Sequence, residues 1–178
     1  VGGMSPFPVA DSPETTPPGP GSNSLWLRPE ACIRQADEKR IPVDKRFELF
    51  LLPGRMAICR LDPDDEPPPW AGPGVFSSVT RTKAELTVVC QEENVPAGIT
   101  CNKNWRGLRI GGVLDFAETG ILSSLTAPLA VEGIPVYALS TYSTDLILIK
   151  EKDLSRTVLA LSGAGHRVFS ENGQEWLP

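Results

Sequence analysis

A glycine-rich segment and two acidic residues are the parts of this sequence whose types and spacing suit chemistry. Arg109-Ile-Gly-Gly-Val-Leu-Asp-Phe-Ala-Glu-Thr-Gly120 closes a strand pattern and opens a helical one. Backbone N–H groups at such a junction can receive a small carboxylate, aided by the helix dipole. Glu118 on this segment and Asp145 on a later hairpin supply anions for an ammonium or guanidinium group. The two parts together make the outline of an amino-acid site. The same residues also have a plain reading, in which Glu118 caps the helix and Asp145 forms a turn. The residues alone leave both open.

Nothing beside them points to a reaction. His166 is the one histidine, near a glycine-rich helix end with no motif around it, and is read as a surface or capping residue. Gly111-Gly112 misses the GxGxxG spacing, and Ser123 and Ser124 sit in no GxSxG elbow. No catalytic residue, metal ligand or cofactor is expected. Cys32, Cys59, Cys90 and Cys101 have no CxxC spacing and are read as free, partly buried thiols. Seventeen basic against 22 acidic residues give a net charge of -5, which argues against a nucleic-acid partner. No apolar run approaches the roughly 18–20 residues that span a bilayer, and no signal-peptide pattern opens the chain, so no membrane partner and a cytoplasmic location are expected.

The elements that must position Glu118 and Asp145 show a repeat. Residues 76–90 and 136–150 align without a gap at an offset of 60, each reading strand, polar turn, strand. Glu85 then meets Asp145, and Arg81 and Lys83 stand where the other copy has Thr141 and Ser143. Upstream, Leu61-Asp62 matches Leu114-Asp115, and the second copy has room for a helix over residues 118–132, with Pro128 an awkward interior residue and Gly133 a stop. A second helix follows Lys152-Asp153-Leu154 and ends at Gly163 and Gly165, before a closing strand at 166–169. That order is β-α-β-β-α-β, the split βαβ of a ferredoxin-like domain. In the first copy Pro67 to Pro69 and Pro96 exclude both helices. Before it, the apolar runs around Phe47–Leu51 and Met56–Leu61 read as two strands separated by a tight turn at Pro53-Gly54.

The runs Leu-Ser-Thr-Tyr-Ser-Thr-Asp-Leu-Ile-Leu-Ile-Lys-Glu-Lys-Asp-Leu (139–154), Ser-Ser-Leu-Thr-Ala-Pro-Leu (123–129), Phe-Ser-Ser-Val-Thr-Arg-Thr and Ile-Cys-Arg-Leu-Asp resemble the ACT domains of the CASTOR-type arginine sensors and their bacterial relatives. The resemblance covers about residues 47–167. It implies an α+β fold of tandem ACT-like (ferredoxin-like βαββαβ) repeats, the first degenerate with its helices shortened or lost. The expected limits are a disordered Pro-rich extension at 1–46, a degenerate repeat at 47–104, a complete ACT domain at 105–170 and a tail at 171–178.

In the sensors arginine lies between paired ACT domains, and the resemblance carries that site onto Glu118, Thr119 and Gly120 of the loop, Ser124 and Leu125 of the helix, and Thr141, Tyr142 and Asp145 of the hairpin. The sensors have four repeats and this chain two, so a site like theirs implies a homodimer. The expected function is regulatory binding of a free amino acid, arginine or another cationic one, without catalysis. The alternative is an ACT-like dimerisation or protein-interaction module that binds no ligand.

Overall fold

The computed structural model describes residues 45–176. Residues 1–44 of the expected extension and the last two residues of the tail lie outside the described residues. The elements are β1 (Glu48–Leu51), β2 (Met56–Leu61), β3 (Ser78–Arg81), β4 (Leu86–Gln91), β5 (Cys101–Ile110), α1 (Ile121–Val131), β6 (Val136–Ser140), β7 (Asp145–Lys150), α2 (Leu154–Gly163) and β8 (Arg167–Phe169). All eight strands share one sheet.

Strand β5 is its spine, running on past residue 104 to join the two expected repeats. One edge of β5 takes β7 over residues 105–109; the other takes β2 over 101–105 and β1 over 108–110, all antiparallel. So β1 and β2 lie end to end along one edge, and the turn at Pro53-Gly54 does not fold them onto each other. The closing strand β8 pairs in parallel with β1, not with β5. Met56 stands opposite Trp105 but Ile58 opposite Asn102, so β5 carries an extra residue. Asn104 absorbs it at φ 61, a left-handed conformation that asparagine tolerates. The Asn104 N–H is met by the Glu92 carboxylate at 2.7 Å.

One face of the second half is covered by α1 and α2, which bury Leu125, Leu129 and Leu161 against Leu49, Leu108, Ile110, Ile147 and Ile149. Each such leucine contributes about 1.5–3 kcal/mol relative to an exposed one. In the first half, where the first helix would stand, prolines leave a 3-10 turn at Pro69–Ala71, whose Trp70 and Ala71 pack over Ala57, Cys59, Leu86, Val88 and Cys90. The helices of the first repeat are gone, as expected. The opposite face of the sheet holds Met56, Val89, Trp105, Leu146 and Leu148.

The duplicated hairpin has a register different from the gapless one. In the first copy the Thr82 N–H donates to the Glu85 carbonyl at 2.9 Å; in the second the Thr141 N–H donates to the Thr144 carbonyl at 2.9 Å. Both threonine hydroxyls bond the same carbonyls. The strand ends Arg81 and Leu86 pair across the first turn as Ser140 and Asp145 pair across the second. Short 3-10 turns at Glu92–Asn94 and Glu151–Asp153 follow the two hairpins. Equivalent residues are thus 59 apart, so Asp145 corresponds to Leu86 rather than Glu85, and Arg81 to Ser140. The strands β4 and β7 are buried on both faces and read as continuous apolar runs, so a slip of one residue leaves no mismatch in the sequence.

Two readings of single residues also change. Cys59 and Cys101 are not free thiols: they stand opposite each other in β2 and β5, 4.1 Å apart at Cα, and are joined as a disulfide. Their separation of 42 residues hid this from any spacing rule. Cys90 is free and buried, and burial pushes its thiol pKa up. His166, expected at the surface, is 3% exposed. Its Nδ1 accepts the Phe47 N–H at 3.2 Å and its Nε2 lies 3.2 Å from the Ser124 carbonyl.

Candidate functional site

The loop between β5 and α1 is held by an aspartate turn. Asp115 accepts the Ala117 N–H on its carboxylate at 2.8 Å and the Glu118 N–H on its carbonyl at 2.9 Å. Asp62 does the same after β2, accepting the Asp64 N–H on its carboxylate at 3.0 Å and the Asp65 N–H on its carbonyl at 3.1 Å. The match of Asp62 to Asp115 read from the sequence therefore holds in three dimensions. The turn uses up residues 115–118, so α1 starts at Ile121, preceded by Gly120 at φ 81, and no side chain caps it. Glu118 is free of a capping role.

A cavity of about 190 Å³ opens between this loop and the β6–β7 turn. Leu114 ties the two together by donating its N–H to the Ser143 carbonyl at 2.8 Å. Of the eight residues taken from the resemblance, the structure brings four onto the wall: Glu118, Thr141, Tyr142 and Asp145. Thr119 and Gly120 lie at the N-terminus of α1 without lining it. Ser124 and Leu125 are inside the helix–sheet core, at 1% and 0% exposure, with the Ser124 hydroxyl donating to the Ile121 carbonyl at 2.7 Å. Both are one turn into α1, on the face that packs on the sheet.

The rest of the wall is Leu114, Asp115, Phe116, Ile121, Ser140, Ser143 and Thr144, none of them among the eight residues that the resemblance carries over. Phe116 and Tyr142 meet edge to face across the mouth with centroids 5.0 Å apart, and are 76% and 83% exposed. The signals were present as Asp-Phe-Ala-Glu, an aspartate-turn pattern, and as the aromatic flanked by hydroxyls in the hairpin. Thr144 fixes the hairpin to β5, its hydroxyl donating to the Ile110 carbonyl at 2.9 Å. Asp145 itself opens β7, while Thr141 and Thr144 make the turn.

Three carboxylates, Asp115, Glu118 and Asp145, therefore border the cavity, and no Lys or Arg is among its lining residues. At the rim the Lys45 ammonium lies 3.1 Å from the Glu118 carboxylate, both partners more than a third exposed. A pair that exposed is worth at most about 1 kcal/mol, so a ligand's cation can displace it. Among the described residues no three His, Cys, Asp or Glu side chains gather closely enough to hold a metal ion. None of the described helices is long and apolar enough to cross a membrane. Three carboxylates on one wall give the cavity an acidic lining, next to the N-terminus of α1, that could receive a cation.

A family model described as an ACT domain matches residues 100–163, the part that holds this cavity, and a second, of an N-terminal domain, matches residues 54–98. The crystal structure of protein Atu0741 from Agrobacterium tumefaciens superposes with a TM-score of 0.69 at 34% identity, covering 75% of this chain and 99% of that one. The cytosolic arginine sensor for mTORC1 subunit 1 of Rattus norvegicus is 33% identical over 113 residues, 58% of this chain. Human CASTOR3P is 33% identical over 100 residues, 49% of this chain. The chain spans 61% of the length of the human relative and 34% of the rat sensor. With a relative of known structure covered almost end to end and an ACT match over the half that carries the cavity, the chain belongs to the ACT-domain proteins of the CASTOR type.

Proposed function

We propose that this chain is a regulatory module that binds a free amino acid with a cationic side chain in the cavity of its second repeat, and catalyses no reaction. The observation that carries the reading is the placing of the Glu118 and Asp145 carboxylates on one small cavity beside the start of α1. The ligand's side-chain cation would meet Asp145 and Glu118, displacing Lys45. Its carboxylate would meet the first-turn N–H groups of α1, next to Thr119 and Gly120. The exposed Phe116–Tyr142 pair would cover the apolar stem. The arginine sensor among the relatives supports arginine as the first ligand to try.

A homodimer fits the exposed rim. Val113, Phe116 and Tyr142 are each more than three-quarters exposed, and a second copy seated there would seal the mouth. Binding would then shift the monomer–dimer equilibrium, because the ligand stabilises the state that contacts it better. We also place the module in the cytoplasm, as the name of the cytosolic arginine sensor suggests for that relative.

Thermal-shift and calorimetric screening of the common amino acids against the full chain tests this. A basic amino acid should raise Tm, and Asp145→Asn should weaken its binding at least tenfold with the fold unchanged. No shift with any amino acid at millimolar concentration would leave the non-binding dimerisation module as the better reading.

A further inference from the structure

The two repeats differ most informatively at one position. In the second repeat the site between the aspartate turn and the hairpin turn is a cavity, and Ser140 is the last residue of its first hairpin strand. In the first repeat the equivalent residue is Arg81. Its guanidinium crosses to the aspartate turn, where Nη1 donates to the Pro63 carbonyl and Nη2 to the Asp65 carbonyl at 2.7 Å. Pro63 and Asp65 correspond to Phe116 and Glu118, since both turns start from an equivalent aspartate. Among the described residues these two carbonyls are the only hydrogen-bond partners of the Arg81 guanidinium.

From this we infer that Arg81 is a built-in ligand: its guanidinium fills, in the first repeat, the site that the second repeat leaves open for a molecule from outside. A planar guanidinium offers two donors at fixed spacing, matching two carbonyls two residues apart. An ammonium can also donate to two oxygens, but it has no planar fork that sets two donors at fixed spacing. The first repeat is thereby held in an occupied state, and only the second responds to ligand. Vacating Arg81 should create a second site, selective for guanidinium over ammonium. The comparison rests on the proposed reading for the second repeat, while the site in the first repeat can be tested without it.

The test is thermal denaturation of the full chain carrying Arg81→Ala, with methylguanidinium and methylammonium chloride as probes at equal ionic strength. The variant should lose about 2–4 °C in Tm, and methylguanidinium, at concentrations on the order of tens of millimolar, should restore most of that loss. Methylammonium should restore none of it. Arg81→Lys, which keeps the charge without the fork, should lose as much as Arg81→Ala. The rescue should persist in Arg81→Ala/Asp145→Asn, because Asp145 belongs to the other repeat. Absence of rescue, equal rescue by methylammonium, or a wild-type Tm in Arg81→Lys overturns the inference. If Arg81→Ala does not fold in plain buffer, refolding with methylguanidinium alone is the same rescue, and failure with both probes overturns it. Loss of amino-acid binding in Asp145→Asn concerns only the second repeat, so the two readings fail separately.

Discussion

Asp145 stands where the other repeat has Leu86, a side chain at 0% exposure beneath the loop that replaces its helix. An acid at a position that packing would give to leucine is a cost to folding, because its carboxylate is half removed from water with no recorded side-chain partner among the described residues. Functional sites are where such costs are tolerated. Asp145→Leu should therefore fold, raise Tm by about 2–4 °C and abolish amino-acid binding. An unchanged affinity would show that the ligand does not meet this carboxylate, and a lowered Tm would show that Asp145 is structural. In the sequence Asp145 was legible as the lone charge before Leu146, Ile147, Leu148 and Ile149. Its true counterpart was not, because those apolar residues match the other copy equally well one position out.

Helix α1 contains Pro128, which has no N–H to give the Ser124 carbonyl four residues back. That carbonyl is buried and needs a donor. His166 provides it, which fixes Nε2 as the protonated nitrogen and leaves Nδ1 to accept the Phe47 N–H. One imidazole thus joins α1 to the start of β1, with Phe47 stacked on it at 5.9 Å. His166→Phe should cost about 2–4 kcal/mol by orphaning two buried groups. In a Pro128→Ala background the new N–H can serve Ser124, so the cost should shrink by about 1 kcal/mol; urea unfolding of the double-mutant cycle measures this coupling. Additive losses would mean that the proline and the histidine are unconnected. Burial lowers the His166 pKa from the ordinary 6.5, with the Ser124 bond acting in the opposite sense. The unfolded chain then binds the proton more readily than the folded one. Stability should be intact above 6.5 and lost as pH falls from there through the lower folded-state value, and His166→Phe should flatten that part of the profile. Neither role was visible in the sequence, where Pro128 read as an awkward interior residue of a helix and His166, 38 positions later, as a surface or capping residue.

Across the whole molecule, periodicity revealed what periodicity determines. The strands, both helices, their glycine stops and the loss of helices from the first repeat follow from apolar spacing and proline. Pairing between distant segments does not: nothing in residues 48–51 tells that β1 will lie between β5 and β8, or that the Asn104 bulge will carry β5 from one repeat into the other. The cavity shows the same division, since Glu118 and Asp145 were legible by charge while Leu114, Phe116 and Ser140 reached its wall only through the fold. The disulfide is the plainest case, with Cys59 and Cys101 brought together by the register of β2 on β5. It closes a loop of 42 residues between strands that already pair, and chain entropy sets its contribution at up to about 4 kcal/mol. A reducing cytoplasm would keep the pair as thiols, in which case the module must stand on its sheet and helices alone. Urea unfolding of the full chain with and without dithiothreitol decides how much the bridge matters. A midpoint that falls on reduction, and is already low and insensitive to dithiothreitol in Cys59→Ala/Cys101→Ala, is the expected result. Equal midpoints in oxidised and reduced protein would mean that the packing of Cys59 with Ala57, Leu86 and Val88 holds β2 on β5 without the bond.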